Sequence, residues 1–560
     1  SIKDKIAFLT QNNAPQTQGT IVYGRAGMDY FADNRNTFSL TGNLVRGKFR
    51  NRDYLYTSRD TTYPTFTSHE TSERDLRSIT YFTNSGFVTG YRHNFSRPNR
   101  DITADVTYNQ TNNTNTSDYQ SYYFDMAGIA LPPVGAERAT GGGKTKFLTI
   151  QSDYATPFSK NKRLETGLRM SRRNFISYND NFIQDLTSRR YVYIPAIAVA
   201  YNFNDQVYAA YANYAQQFKT FSLQAGLRVE NSRYDGRLVS GKSFSNSYPF
   251  SLFPSLYLSK KLSEHQNLQL NYSRKINRPG FFQIIPFIDF SDSLNLTIGF
   301  PGLKPEFIHL GELSYVYQNL QGNTFQGTIY GKRSDDIILR YQYRAANPNP
   351  AKLDSVIFNS YANARESNTM GIELTNRTKV MNWWDLTTSF NLYHIDVNAD
   401  NLAGAGNTTL TSYFGKIAST FRLGNNFTLQ LNSEYQAKTI LPVNAGRNAT
   451  TASYGGSIFG SSQVSAQGYI KPLFSTDISL KKEFGKNNAA ALTLQFNDVL
   501  RTRLYSTHAN GSYFSQDYSR RRDPQYARLN FNYRFGKPDG SIFKRRNQRA
   551  DMEPVQGIPQ

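Results

Sequence analysis

The sequence predicts an all-β chain: a large antiparallel transmembrane β-barrel of about 20–22 strands, with short periplasmic turns and long extracellular loops. Three observations predict it. Apolar and polar residues alternate with period two along most of the chain, short and long connections between these runs take turns, and the composition is both aromatic and polar. Tyr and Phe number 39 each against 6 Met and 2 Trp, yet the mean hydropathy is −0.58.

The composition also excludes. No apolar run reaches the ~18 residues of a membrane-crossing helix. The most apolar stretch, Tyr193–Tyr201, is short and contains Pro195. A barrel escapes this test, because its strands carry only a weak, alternating hydropathy signal. Absence of Cys removes disulfides, zinc clusters and thiol catalysis together. The net charge of +22 is spread along the chain without a nucleic-acid-binding signature, so no nucleic acid is expected as partner. Outer-membrane lipid and lipopolysaccharide headgroups, or a basic lumen, suit those cations equally well.

The alternation places one set of residues toward lipid and the other toward a lumen. Phe221, Leu223, Ala225, Leu227 and Val229 oppose Ser222, Gln224, Arg228 and Glu230. Phe427, Leu429, Leu431 and Tyr435 oppose Thr428, Gln430, Asn432, Glu434 and Gln436. Leu268, Leu270 and Tyr272 oppose Gln269, Asn271 and Ser273, and near the end Leu529, Phe531, Tyr533 and Phe535 oppose Arg528, Asn530, Asn532 and Arg534. Such runs exceed the ~5–6 residues usual in soluble sheets, and aromatic residues gather near their ends as in membrane girdles. Polar turns at 32–36, 95–101, 158–163, 261–267, 319–323, 422–426 and 483–488 alternate with long connections at 58–75, 119–144, 177–206, 234–248, 279–306, 344–356 and 440–463. Pairing turns with strands gives about nineteen or twenty crossings, close to the even numbers that antiparallel barrels take.

Three stretches carry a family likeness: "INRPGFFQIIPFIDFSDSLNLTIGFPGLKPE" (Ile276–Glu306), "GRAGMDYFADNRNTFSLTGN" and "FSLQAGLRVENSRYDGR". With the ending "YARLNFNYRFGK" they resemble the Bacteroidota outer-membrane β-barrel family of TonB-dependent receptors. The resemblance runs from about Gly24 to Lys537. It implies a barrel of about 22 strands behind a globular plug, energised through the TonB system. By that pattern the plug and some initial strands are missing here. The expected organisation is an N-terminal segment (1–19), loop or partial ascending strand after the missing plug, then the barrel (20–537) and a basic periplasmic tail (538–560).

Pro279 stops a strand ladder for want of an amide donor, so Arg278, Phe281, Phe282, Phe287, Asp289, Phe290, Asp292 and Phe300 fall in an extracellular loop. Their aromatic rings are expected to pack the loop against itself, with ligand or partner contact as the second reading. Arg228, Glu230, Lys275, Glu434, Arg528 and Arg534 are expected to line the lumen, paired with one another or facing a plug.

Other constellations point away from chemistry. Gly141–Thr145 ("GGGKT") has Arg138 where a phosphate-binding loop needs Gly, so a flexible loop is expected. The six histidines are scattered. His394 and Asp396 share a strand face and suit a lumen hydrogen bond better than a metal. Asp289 with Asp292, and Asp335 with Asp336, could hold calcium but more commonly cap turns. No nucleophile–base set or carboxylate pair stands out, so no enzyme activity, metal or cofactor is expected. The function expected is uptake of a bulky nutrient (siderophore, glycan or peptide) at the cell outer membrane. The alternative is a non-transporting subunit of an outer-membrane assembly bound to surface lipoproteins.

Overall fold

The computed structural model describes residues 6–132, 135–195, 198–238, 241, 243–286, 288–289, 295–346, 355–402, 406–440, 468–511, 514–521 and 525–535. Its strands begin with β1 (Ile6–Asn13), β2 (Gln16–Phe31), β3 (Asn36–Thr62), β4 (Thr67–Asn94), β5 (Asp101–Phe124), β6 (Glu137–Ser159) and β7 (Lys162–Gln184). There follow β8 (Tyr191–Tyr193), β9 (Val199–Gln217), β10 (Phe221–Leu238), β11 (Ser243–Lys261), β12 (Gln266–Asn277), the short helix α1 (Phe281–Ile284), β13 (Ile288–Asp289), β14 (Asn295–Ile298) and β15 (Glu306–Gln318). The rest are β16 (Thr324–Ala346), β17 (Ser355–Met381), β18 (Trp384–Asn398), β19 (Thr408–Leu423), β20 (Phe427–Gln436), β21 (Thr439–Ile440), β22 (Gly468–Ile470), β23 (Leu473–Phe484), β24 (Ala490–Asn497), β25 (Tyr505–Gly511), β26 (Phe514–Arg520) and β27 (Tyr526–Tyr533).

Twenty-three of these form one sheet. Sequential antiparallel neighbours run through the whole wall, as the alternation requires. β8, β13 and β14 are short additions at the upper edge. β1 and β2 are one descending strand: Asn13 faces Leu55 and Gln16 faces Arg52 in unbroken register. Only Pro15, lacking an amide donor, interrupts its ladder, and Ala14 N–H still donates to Tyr54 O at 3.1 Å. Ile6–Asn13 therefore extends the first descending strand and is not the separate ascending strand or loop expected for the N-terminal segment. Among the described residues nineteen strands cross the wall. β21, β22, β25 and β26 form a second sheet in the same order as the four last wall strands below them.

The short turns follow local chemistry. Asn425 and Asn426 sit at φ 57° and 61°, Asn487 and Asn488 at 55° and 54°, the left-handed region that two-residue hairpins need and Asn tolerates. Asp33 accepts the amides of Arg35 and Asn36, both at 2.7 Å, and these bonds hold its carboxyl below the usual carboxylate range. Two more turns, Phe218–Thr220 and Asn382–Trp383, complete the lower rim. Rings gather there: Phe218 and Phe221 lie 5.2 Å apart, and Phe421 lies 6.0 Å from Trp383 and 5.8 Å from Trp384. This is the girdle position at which amphipathic rings meet headgroups.

At the other rim the strands outrun the membrane. β3 and β4 have 27 and 28 residues, whereas a tilted membrane strand needs about 9–11. Much of what the alternation assigns to long loops (58–75, 119–144, 177–206) is paired strand. Gly141–Thr145 lies inside β6, with Gly142 opposite Thr114 and Tyr178, so the expected flexible loop there is a strand. An antiparallel ladder satisfies the backbone in water as well as in lipid, and polar side chains leave no reason to end it.

The polar face knits itself together. Asn43 donates to Asn84 Oδ1 at 3.1 Å and Asn84 to Thr111 Oγ1 at 2.8 Å. Inward aromatic rings occupy the space beside glycines of the neighbouring strand: Phe49 at Gly19, Phe82 at Gly47, Tyr211 at Gly167 and Tyr330 at Gly371. A Cβ at Gly47 would stand 2.0 Å from the Phe82 ring, while one at outward Gly331 meets nothing within 4 Å. Gly47→Val should therefore destabilise the sheet by about 1–3 kcal/mol, and Gly331→Ala by less than about 0.5 kcal/mol. Urea unfolding of the two variants in one detergent checks this, and equal midpoints would refute it.

Candidate functional site

The site starts from a change of polarity along each strand. On β10, Phe221 to Val229 point outward as an apolar row, and Arg228 and Glu230 point in. Above Glu230 the rows exchange character: Arg233 and Arg237 stand exposed outside, and Ser232, Tyr234, Gly236 and Leu238 are buried inside. β9 answers with Phe203 opposite Gly236 and Tyr201 opposite Leu238. Once past the lipid, the wall has its apolar face toward the interior.

The segment between β12 and β15 fills that face. Pro279 is buried, α1 turns the chain, β13 and β14 pair as a two-stranded ribbon, and Asn277 Nδ2 donates to Glu306 Oε2 at 3.0 Å to close the base. Ile284, Leu303 and Ile338 join Phe203 and Tyr234 in one buried cluster. β9 and β16 lie five strand spacings apart in the wall, about 24 Å, so the segment crosses the interior to reach both. Leu296 packs with Val356 and Phe358, and β14 adds to the free upper edge of β17 as a parallel strand, Asn295 facing Ile357.

Hydrogen bonds sew the segment down. Tyr234 Oη donates to Leu303 O at 2.9 Å, and Asn246 Nδ2 to Pro301 O at 2.8 Å. Lys304 N–H donates to Asn363 Oδ1 at 2.8 Å, and Asn363 Nδ2 returns to Lys304 O at 3.0 Å. Burial pushes the Tyr234 and Tyr201 phenols up, so both stay neutral, and Tyr234 keeps the proton it donates to Leu303 O. At the base, Glu230 is almost fully buried between two cations: Arg228 Nε donates to it at 2.5 Å and Arg278 reaches its other oxygen.

A family model described as the outer membrane protein beta-barrel family matches residues 93–533. The chain belongs to that family. Its place is the cell outer membrane. In fold this outer-membrane β-barrel chain is similar to the ferric-catecholate import receptor Fiu of E. coli K12, at 11% identity and a TM-score of 0.56, covering 93% of this chain and 81% of that one. The copper transporter OprC is alike at 11% identity and a TM-score of 0.56, covering 96% and 82%. The ferric yersiniabactin uptake receptor FyuA of Yersinia pestis follows at 9% identity and a TM-score of 0.51, covering 94% and 80%. No curated protein matches the chain in sequence.

Within this barrel chain, the residues expected to form the loop site separate. Arg278 is brought to Glu230. Phe281 and Phe282 lie on α1, and Asp289 in β13 pairs with Thr297 through the backbone. Phe287, Phe290 and Asp292 lie outside the described residues. Phe300 is half exposed, its amide donating to Gln283 O at 2.7 Å. The anchors that sequence reasoning missed are aliphatic: Ile284, Ile285, Leu296 and Leu303 are each at most 4% exposed. The signal for their partners was the exchange of apolar register at Glu230, visible in "RVENSRYDGRL".

Among the expected lumen charges, Lys275 lies on the polar face opposite Ile308 and is exposed. Glu434 accepts from Ser475 Oγ at 2.9 Å with Arg503 3.8 Å away. Arg528 lies on the last strand opposite Gln495, its guanidinium 5.4 Å from the Tyr526 ring. Arg534 is past the end of β27 and donates to Asn488 O at 2.8 Å, so it caps a lower turn instead of lining the lumen. His394 meets Thr411 at 2.8 Å and Asp396 at 3.4 Å, on the outward face with Leu392 rather than in the lumen. Asp335 pairs with Arg333 at 2.9 Å. No group of three metal-ligating side chains occurs among the described residues.

Tyr234→Phe removes one bond that fixes the inner segment, at about 0.5–1.5 kcal/mol. Amide exchange over Phe300–Lys304 should quicken about fivefold, since ~1 kcal/mol is about a factor of five. The outward variant Arg233→Gln should leave it unchanged. Identical exchange in both variants would dissociate the segment's hold from Tyr234.

Proposed function

We propose that the chain forms the wall of an energised outer-membrane importer of the TonB-dependent kind. The observation that carries this reading is the size of the wall. Barrels of eight strands are filled by their own side chains, those of 16–18 strands leave an aqueous channel, and those of 22 enclose a plugged lumen. Nineteen crossing strands among the described residues, with both outer edges still unpaired, support the last of these. Its polar face presents exposed cations such as Lys275, which suit an acidic plug surface or an anionic solute.

The reading includes completion of the wall by further strands. β2 and β27 both run toward the short-turn rim, and every residue of each is exposed. Two edges running the same way cannot join in an antiparallel ladder, and open edges are not tolerated in lipid. An odd number of further strands, alternating in direction, would close the barrel antiparallel throughout. In this reading those strands and a plug come from another segment or chain. The solute is a bulky nutrient (siderophore, glycan or peptide) captured at the upper rim, where the inner segment narrows the opening. Pulling on the plug through the TonB system would then release it into the lumen.

Cells lacking the gene should leave at least one siderophore, oligosaccharide or peptide in the medium that wild-type cells deplete, and a protonophore should produce the same profile. Mass spectrometry of spent medium reads this. Unchanged depletion, together with stable co-purification of surface lipoproteins, would favour the assembly-subunit reading. Separately, Asp29→Cys with Asn530→Cys, both on the inner face near the short-turn rim, should form no direct disulfide in the intact membrane; efficient formation would contradict completion by intervening strands.

A further inference from the structure

The outward face above the apolar band is not electrostatically uniform. On β3 the row Phe38, Leu40, Gly42 and Leu44 gives way to Arg46, Lys48 and Arg50. On β6 the row Ile150 and Leu148 gives way to Lys146 and Lys144, and on β7 Leu168 and Met170 give way to Arg172. The register puts these on one side of one sheet: Arg46 faces Thr83, Thr83 faces Asn112, and Asn112 faces Lys144, while Arg172 faces Leu148. Arg46, Arg50, Lys144, Lys146 and Arg172 are exposed, and Lys48 lies 5.0 Å from the outward Tyr81 ring, at girdle height.

None of the six is in an ion pair among the described residues. Between them the outward positions of β4 and β5 are Ile79, Tyr81, Thr83, Gln110, Asn112 and Thr114, with no carboxylate. The first outward acids above are already engaged: Asp75 by Arg52 and Arg77, and Asp118 by Arg138. The basic row continues to exposed Arg233 on β10, since Arg172 faces Gln206 and Gln206 faces Arg233, whereas on β16 and β17 Arg333 is held by Asp335 and Glu366. Six unpaired cations therefore span four strand spacings, about 19 Å, where the band meets the headgroup layer of the long-loop side.

We propose that this patch on β3–β7 docks the phosphate groups of an anionic glycolipid in the outer leaflet. A phosphorylated sugar headgroup offers rigidly spaced anions and hydroxyls. The cations supply charge, and Gln110, Asn112 and Thr114 supply neutral hydrogen-bond partners between them. Their place beside apolar surface keeps water screening low, while the acyl chains lie on the band beneath.

The test uses the purified full chain in neutral detergent, probed with phosphorylated lipid A, dephosphorylated lipid A and phosphatidylglycerol, with bound lipid read by native mass spectrometry. Two separate triple variants, K144Q/K146Q/R172Q and R46Q/K48Q/R50Q, should each lower retention of phosphorylated lipid A by about tenfold, given ~1 kcal/mol per cation near an anionic surface attenuated by spacing. K160Q/K162Q/K486Q, at the short-turn rim, should retain it as the unmodified chain does. Heat-dependent gel migration confirms that each variant is folded. Unchanged retention in the folded triple variants would overturn the proposal. So would equal retention of dephosphorylated lipid A, or of phosphatidylglycerol, by the unmodified chain.

Discussion

A backbone amide in hydrocarbon has no partner but another backbone group, and a missing partner costs several kcal/mol. The structure follows from that constraint. It explains why one ladder runs from β1 to β27 with few irregularities. It also explains why the polar side chains of the inner face bond laterally to one another. Asn43, Asn84 and Thr111 form such a chain across three strands, in a setting where burial without partners would be penalised.

The same ladder continues where its cause has disappeared. Above the lipid the strands stay paired, but the medium outside is water and the interior becomes the only place to hide apolar surface. Side-chain period remains two, so the exchange is made by composition alone. At Glu230 the apolar row passes from Val229's lipid-facing side of the strand to the inner side, and Tyr234 and Leu238 become core. The inner segment exists because this reversed face needs a cover. Ile284, Leu303 and Leu296 supply it, and Tyr234 and Asn363 satisfy the carbonyls that the cover brings with it.

How much of this was legible follows from what sequence can encode locally. Alternation in "FTLQLNSEYQ" and "FSLQAGLRVE" states both the strand and its lipid face, so the architecture was readable. Turns rich in Gly and Asn, such as "RLGNN", were readable for the same reason. "QFKTF" and "MNWWD" were not, because an aromatic turn at a membrane rim looks like strand. The aromatic–glycine contacts required the register, which pairs Gly47 with Phe82, 35 positions further along the chain. In the inner segment Ile284, Leu296 and Leu303 are buried without any periodic pattern that would mark them. Arg534 alternates in phase with lumen residues yet lies beyond the end of its strand, which no periodicity reports.

Rigidity is the functional consequence of continuing the sheet outward. A recognition surface made of flexible loops would lose conformational entropy on binding, whereas one made of paired strands has already lost it on folding. Here the strands that would frame a solute at the upper rim are held by ladder bonds, and the inner segment is held by a buried cluster and by side-chain bonds from at least three strands. Differences in specificity between such barrels then have few places to reside. In the proposed reading they lie in connections that leave the sheet and in side chains on the reversed inner face, among them Phe300 and Lys304, which are exposed beside buried Leu303.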